Sequence, residues 1–337
     1  MKTRILELLA LAAVVAAAAA AAGCGSTSDT SLRDSLDALR TPAATVSSTT
    51  PTLNPLAGLV QQVDLTLSPL CVNTEASLRP TELPTPGRMP RGSFMRRIEQ
   101  RGHLVAGVDQ NTLLYGYLDP FTGRLQGLEI DLLRNLATAI FGNPNAIDFK
   151  VLTTADERLQ EVEDGRVDVV ADAVTINCER LQDVAFSTVY YDAQQRILVP
   201  SSAKARGVQD LGGKRVCARA GTTSLDNITK QPSHPIPFPV EQRTDCLVAL
   251  QEGRVDAITS DDSILRGFQV QDPYTKLVGS SLEPEPYGMV IAKSHPDFVR
   301  FVNGVLARMR ADGSLKALYH KWLGTSAPHV PRAQYRN

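Results

Sequence analysis

Apolar positions fall into two alternating rhythms from residue 94 onward. Residues 94–101 carry the spacing of a short helix, and residues 103–109 form an aliphatic run that ends on Asp109 and reads as a buried strand. Turn residues at Asp119-Pro120-Phe121-Thr122-Gly123 separate two extended runs, 115–120 and 125–127, which predicts a hairpin. Residues 129–141 place Leu132, Leu133, Leu136 and Ile140 on one helical face. A second strand is predicted at 147–152, and Thr154-Ala155-Asp156-Glu157 has the capping-box pattern that opens a helix. Further strands are predicted at 195–200, 215–218, 275–279 and 289–292, with a helix start at Gly221-Thr222-Thr223-Ser224. Two helices, 297–310 and 314–322, are split by Asp312-Gly313. Strands alternating with helices indicate an α/β protein.

One phrase occurs twice: Gly165-Arg166-Val167-Asp168 returns as Gly253-Arg254-Val255-Asp256. Each copy follows a helix-periodic stretch (159–163, 246–251) and runs into a β-branched segment (167–170, 255–259). That is helix, glycine stop, strand, written twice. A generic helix-to-strand turn would leave the same four residues. Polar residues follow both strands: Thr175-Ile176-Asn177-Cys178-Glu179-Arg180 after the first, Ser260-Asp261-Asp262 after the second. In open α/β sheets, ligands bind beyond the carboxyl ends of strands. Two such ends facing each other would offer Arg180 from one unit and Asp261 from the other. Those charges complement the carboxylate and ammonium of an L-α-amino acid.

The 337 residues suffice for roughly two domains of about 100–200 residues each. A net charge of −1 gives no electrostatic reason to expect nucleic acid, and an aromatic content of 5% argues against a base-stacking platform. His103, His234, His295, His320 and His329 form no short-range pair, so no metal and no other cofactor is expected.

Composition changes sharply before residue 93. Lys2 and Arg4 precede an apolar run, 5–22, interrupted only by Glu7, and Gly23-Cys24 follows. The segment resembles a bacterial lipobox, with 1–24 as the signal peptide and Cys24 as the lipidated residue. Ala21 stands where such boxes usually have Leu. An ordinary secretory signal and a membrane anchor are the other readings, and all three place the body outside the cytoplasm. Residues 25–92 are rich in Ser, Thr and Pro and read as a tether. Four further cysteines allow three pairings, and export permits disulfides. Cys217 and Cys246 belong to the second βα unit and are paired. Cys71 then pairs with Cys178, pinning the tether two residues from Arg180.

The order and spacing of several stretches carry a family resemblance. They are 104–109, Gly127-Leu128-Glu129-Ile130-Asp131, 166–180 with Phe186-Ser187, Asp210-Leu211-Gly212-Gly213-Lys214, Gly221-Thr222-Thr223-Ser224, 256–261, Tyr287-Gly288 and 303–324. The chain resembles the type II periplasmic amino-acid-binding proteins of ABC importers, extracellular solute-binding family 3. More narrowly it resembles the glutamine/glutamate-binding lipoproteins of actinobacteria. The resemblance implies two α/β lobes joined by two crossing strands. Lobe 1 would comprise 93–198 and 281–324, lobe 2 would comprise 199–280, and 325–337 would form a tail.

The resemblance also implies roles. Arg180 grips the ligand's α-carboxylate with help from Thr175 and the neighbouring Ala173, and Asp261 holds the α-ammonium. Thr222 and Thr223 add hydroxyls and N–H groups at a helix start. Arg158, 22 positions before Arg180, matches an arginine that holds a distal carboxylate in glutamate/aspartate binders. Arg219 matches a pocket lysine of glutamine binders. Asp172 departs from the family's small hydroxyl residues; it would pair with Arg158 or Arg219, or favour a cationic ligand. Ala155 replaces an aromatic platform, leaving Tyr115 or Tyr117 as the aromatic wall. Asp109 is expected near the cleft, beside a basic residue.

The expected function is capture of glutamate, aspartate, glutamine or asparagine by lobe closure for an ABC permease. A membrane sensor that reads the closed form, and a binder of basic amino acids, are the alternatives. The expected protein is a monomer, not an enzyme, lipid-anchored on the extracytoplasmic face of the cell membrane. Dehydratases on this fold and a scaffold with a vestigial cleft are competing classes.

Overall fold

The computed structural model describes residues 69–324 and 328–336. Residues 1–68, where the signal peptide and lipidation at Cys24 are expected, lie outside the described residues.

The repeated phrase is a folding device. In both copies the glycine takes left-handed backbone (Gly165 φ 67°, Gly253 φ 68°) just after a helix, Glu157–Glu163 or Arg243–Gln251. The next two amides fold back onto one helix carbonyl: Arg166 and Val167 onto Glu161, Arg254 and Val255 onto Ala249. This is a glycine-terminated helix stop. The aspartate then fixes the sheet. Asp168 Oδ2 accepts from Val105 N, and Asp256 Oδ2 accepts from Arg215 N, each at 2.8 Å. Each repeat thereby sets the register of a parallel strand pair.

Two sheets result. The first runs Ile147–Val151, Leu104–Val108, Val169–Ala171, Val290–Ala292, Val184–Phe186. Its first three strands are parallel, and Val290–Ala292 runs antiparallel to both its neighbours. Helix Leu128–Phe141 packs on it, burying Leu132, Leu133, Leu136 and Ile140. The second sheet runs Ile236–Val240, Arg215–Arg219, Ala257–Asp261, Tyr191–Pro200, Thr275–Val278. This is the expected two-lobed α/β architecture.

Two strands cross between the lobes. Tyr191–Pro200 pairs over its first four residues with Pro284–Tyr287. From Gln195 onward it belongs to the second sheet, opposite Asp261. One continuous strand thus serves both the crossing and the second sheet. Tyr115, Tyr191 and Tyr287, all buried, fill the crossing. Tyr115 meets Tyr191 edge-on at 5.5 Å, and Tyr191 stacks on Tyr287 at 5.6 Å.

Residues 69–92 are a strap on lobe 1, which corrects the tether expectation for that stretch. Ser77–Leu78 pairs in parallel with Tyr335–Arg336, so the last residues are not a loose tail either. Asn303 Nδ2 donates to Ser77 Oγ and to Leu78 O, and Ser77 Oγ donates to Phe186 O at 2.6 Å. Met89 is buried, and Cys71 is bonded to Cys178. The proline content of the strap reflects extended backbone lying on a domain, a composition it shares with a true linker.

Candidate functional site

A small cavity lies between the lobes, about 20 Å³, with room for about one water molecule. Lobe 1 supplies Arg158, Ala173, Thr175 and Arg180; lobe 2 supplies Arg219, Thr222, Thr223, Ser224, Arg243, Asp261 and Phe268.

Arg180 is set by its own loop. Its backbone N–H donates to Asn177 Oδ1 at 2.9 Å, and its Nη1 donates to Thr175 O at 2.7 Å. The Cys71–Cys178 bond holds the same loop from outside. Burial pulls the Arg180 pKa down, while Glu285 and Asp261 nearby favour its charge. It makes no ion pair with a side chain among the described residues, and it lines the cavity. Ala173 stands in left-handed backbone (φ 47°), uncommon for a residue with a Cβ. Buried Glu129 holds it there by accepting from Ala173 N at 2.7 Å and from the Tyr190 hydroxyl. Burial, then Asp172, pushes Glu129 up to about 7.

Asp261 closes the other side. It ends its strand and accepts from the Tyr287 hydroxyl at 2.5 Å. Burial raises its pKa, with that hydroxyl opposing. Beside it lies Glu285, which sequence reasoning missed. Glu285 accepts from the hydroxyl of Thr175 in lobe 1 and from that of Thr223 in lobe 2, the latter at 2.7 Å. Burial, then Asp261, pushes it up to about 7. The two threonine hydroxyls expected to meet a ligand are thus bonded to a crossing-strand carboxylate. The Thr222 hydroxyl is also engaged, donating to Arg219 O at 2.7 Å and capping helix Thr223–Thr229.

Asp172 is the hub of an arginine cluster. Arg243 Nη1 lies 2.7 Å from Asp172 Oδ1 and 2.5 Å from Asp109 Oδ2. Arg219 Nη1 and Arg158 Nε lie 3.6 and 4.0 Å from Asp172 Oδ2. Burial works to raise the Asp172 pKa, but Arg243, Arg158 and Arg219 outweigh it and hold the carboxylate below its ordinary value. Burial works against the Arg243 charge, but Asp172 and Asp109 raise its pKa above the ordinary arginine value. Asp172 therefore has three arginines around it. Arg158 is buried, its Nε bonded to Ala155 O at 2.9 Å. Burial lowers its pKa to about 9, against the pull of Asp172.

Tyr115 does not form a ligand wall; it is fully buried in the crossing. Tyr117 packs edge-on against Trp322 at 6.3 Å. The aromatic residue on the cavity is Phe268. Arg243 was also missed. The one signal for it is an arginine in the first turn of a helix, where positive charge opposes the helix dipole. Glu285 carries a comparable signal, a carboxylate wedged between Pro284 and Pro286 in a strand.

Residues 104–325 match the bacterial extracellular solute-binding proteins, family 3. The chain belongs to that family. It is 32% identical over 227 residues to the ABC transporter glutamine-binding protein of Bacillus subtilis, covering 67% of this chain and 83% of the relative. It is 27% identical over 245 residues to the L-glutamate/L-aspartate-binding protein of Pseudomonas aeruginosa, covering 69% and 81%. Among solved structures, the solute receptor for L-cysteine of Neisseria gonorrhoeae superposes with a TM-score of 0.65 at 26% identity, covering 68% of this chain and 93% of that one. The family is one of solute binders outside the cytoplasm.

Proposed function

We propose that this protein captures a polar L-amino acid by closing its two lobes over it, for delivery to an ABC importer. One observation carries the reading: a guanidinium from lobe 1 (Arg180) and a carboxylate from lobe 2 (Asp261) line the same cavity. In this reading Arg180 binds the α-carboxylate through its spare donors, a charge-assisted and oriented contact. Asp261 accepts the α-ammonium. The family membership and the relatives named for glutamine and for glutamate/aspartate support the same ligand class. Bonds that span the lobes support closure as the working state. Arg243 of lobe 2 reaches Asp109 and Asp172 of lobe 1, and Arg219 Nη2 donates to Thr153 O at 3.1 Å. Lipidation at Cys24 would keep the captured solute near its membrane partner, and the binding unit itself is monomeric.

The test is calorimetry of the full-length protein against the common L-amino acids, with Arg180→Ala alongside. Saturable binding of a polar amino acid is expected. The variant should bind at least about 30-fold more weakly, since truncating one partner of a buried charge pair costs about 2–5 kcal/mol. An unchanged affinity in the variant would remove Arg180 from the site, and no heat with any amino acid would refute the reading.

A further inference from the structure

The second crossing strand, Pro284–Tyr287, is wired to the candidate site. Glu285 and Tyr287 stand two residues apart, so their side chains leave the same face of the strand. Glu285 meets the hydroxyls of Thr175 and Thr223, and Tyr287 reaches Asp261. The backbone around Tyr287 is fixed to lobe 1. Tyr287 O accepts from Tyr190 N at 2.9 Å, Pro286 O accepts from Ile176 N at 2.8 Å, and Gly288 N donates to Val174 O at 3.1 Å. Tyr287 also bridges to Thr175, where the Arg180 loop starts. The Tyr287 hydroxyl, by contrast, ends in lobe 2. It lies 2.7 Å from Ser263 Oγ and 2.5 Å from Asp261 Oδ2. An ionised carboxylate only accepts, so the tyrosine proton goes to Asp261 and Ser263 donates to the tyrosine oxygen. The ring is fully buried, stacked on Tyr191 and edge-on to Tyr115, which fixes where the hydroxyl sits. The other Asp261 oxygen has a longer contact, with Ser224 Oγ at 3.4 Å. Tyr287 is thus a strut with its base in one lobe and its tip on a carboxylate of the other.

We propose that Tyr287 is a positioning residue for amino-acid capture: from its base in lobe 1 it holds the Asp261 carboxylate of lobe 2 in the setting that accepts the ligand's ammonium. The inference rests on the amino-acid reading above, through the role given there to Asp261. Two effects come from the one bond. It restrains the Asp261 side chain, because an oxygen bonded to a packed ring cannot swing. It also favours the charged carboxylate, since a hydrogen bond donated to an anion stabilises that form. Burial works to raise the Asp261 pKa, and the Tyr287 hydroxyl is the first influence against it. Burial, then Asp261, pushes the Tyr287 pKa well above the ordinary tyrosine value, so the hydroxyl keeps its proton and remains the donor. A neutral Asp261 would lose the charge-assisted bond to an ammonium. The other charged or titratable groups around Asp261 are Arg243, Asp262, Arg158, Glu285, Arg180 and Tyr191. Tyr287→Phe keeps all six, so they cancel when the two proteins are compared at one pH.

The experiment is calorimetry of the full-length protein with L-glutamine, L-glutamate, L-asparagine and L-aspartate from pH 5 to pH 8. The unmodified protein is compared with Tyr287→Phe, Asp261→Asn and the double variant. Phenylalanine keeps the ring contacts and removes only the hydroxyl. Tyr287→Phe should weaken binding by about tenfold at pH 8, the size of a hydrogen bond to a charged group. The factor should grow as pH falls, because Asp261 in the variant takes up a proton before it does in the original. In the Asp261→Asn background, with no charge left to hold, the same change should alter affinity by less than about threefold. If Asp261→Asn gives no measurable heat, the pH series decides alone. A variant that merely loosened the crossing would lose the same factor at every pH. Such a constant loss, an affinity unchanged across the range, or a full loss that persists on Asp261→Asn would each overturn the role of Tyr287 and leave amino-acid capture standing. Binding of none of the four amino acids by the unmodified protein would overturn both.

Discussion

Glu285 gives the sharpest test of how the crossing strands are held. It is a buried carboxylate whose pKa is pushed up to about 7 by burial and by Asp261, from an ordinary 4.5. A raised carboxyl pKa means that the folded chain keeps a proton which the unfolded chain has released. That contribution to stability is complete below the unfolded pKa and is lost as pH rises through the folded one. At 1.36 kcal/mol per pKa unit, ionising Glu285 within the folded protein costs about 3 kcal/mol by pH 8. Glu285→Gln removes that cost and keeps an oxygen to accept from Thr175 and Thr223, since both hydroxyls meet the same carboxylate oxygen. Relief of the Asp261 carboxylate acts in the same direction. The variant should therefore melt about 5–10 °C higher than the unmodified protein at pH 8, at about 2–4 °C per kcal/mol for a domain of this size. The two should nearly coincide at pH 5. Glu129, whose pKa is also pushed up to about 7, is present in both proteins and cancels in the comparison. Thermal melts followed by circular dichroism across that pH range provide the readout. A variant no more stable than the original at pH 8, or a gap that does not change with pH, would refute the reasoning.

Two further substitutions probe the same region. Arg243→Met leaves Asp109 and Asp172 buried without their principal partner, and should lower the unfolding free energy by about 3–5 kcal/mol in urea titrations. A loss under about 1 kcal/mol would show that Arg158 and Arg219 suffice to hold Asp172. Ala173→Gly relieves a left-handed backbone at φ 47° and should raise stability by up to about 1 kcal/mol, once glycine's extra entropy is subtracted. A lower melting temperature would mean that the Ala173 methyl contributes more by packing than its backbone strain costs.

The fold was largely legible because its signals are local. The two Gly-Arg-Val-Asp phrases mark helix stops whose chemistry is complete within a few residues. The strands after them deliver Arg180 and Asp261 to one cavity, where strand ends in an α/β sheet place ligands. Of the charge network only Asp172 beside Arg158 or Arg219 and Asp109 beside a basic residue were expected; Arg243 and Glu285 were not, because their partners are set by lobe contact. Arg243 finds Asp109 at a separation of 134 residues, and Thr175 finds Glu285 at 110. For Asp172 the sequence left pairing with Arg158 or Arg219 and a cationic ligand both open, because its three arginines converge only in the folded protein. Tyr115 or Tyr117 was expected on a binding wall, because an aromatic beside a single glycine serves a crossing and a wall equally well. The strap at 69–92 shares the proline content of a linker, and only its pairing with Tyr335–Arg336 separates the two.

That pairing sets the mechanical layout of the molecule. The strap and the closing strand lie side by side on lobe 1, one bound through Cys71–Cys178 and the other through Arg310 to Pro331 O. Lobe 2 is an uninterrupted excursion between the two crossing strands and carries neither end of the described chain. A pull on either end is therefore taken up by the first sheet and its disulfide, and no tension passes through the crossing. In the proposed closure, lobe 2 turns while both ends of the described chain stay on lobe 1.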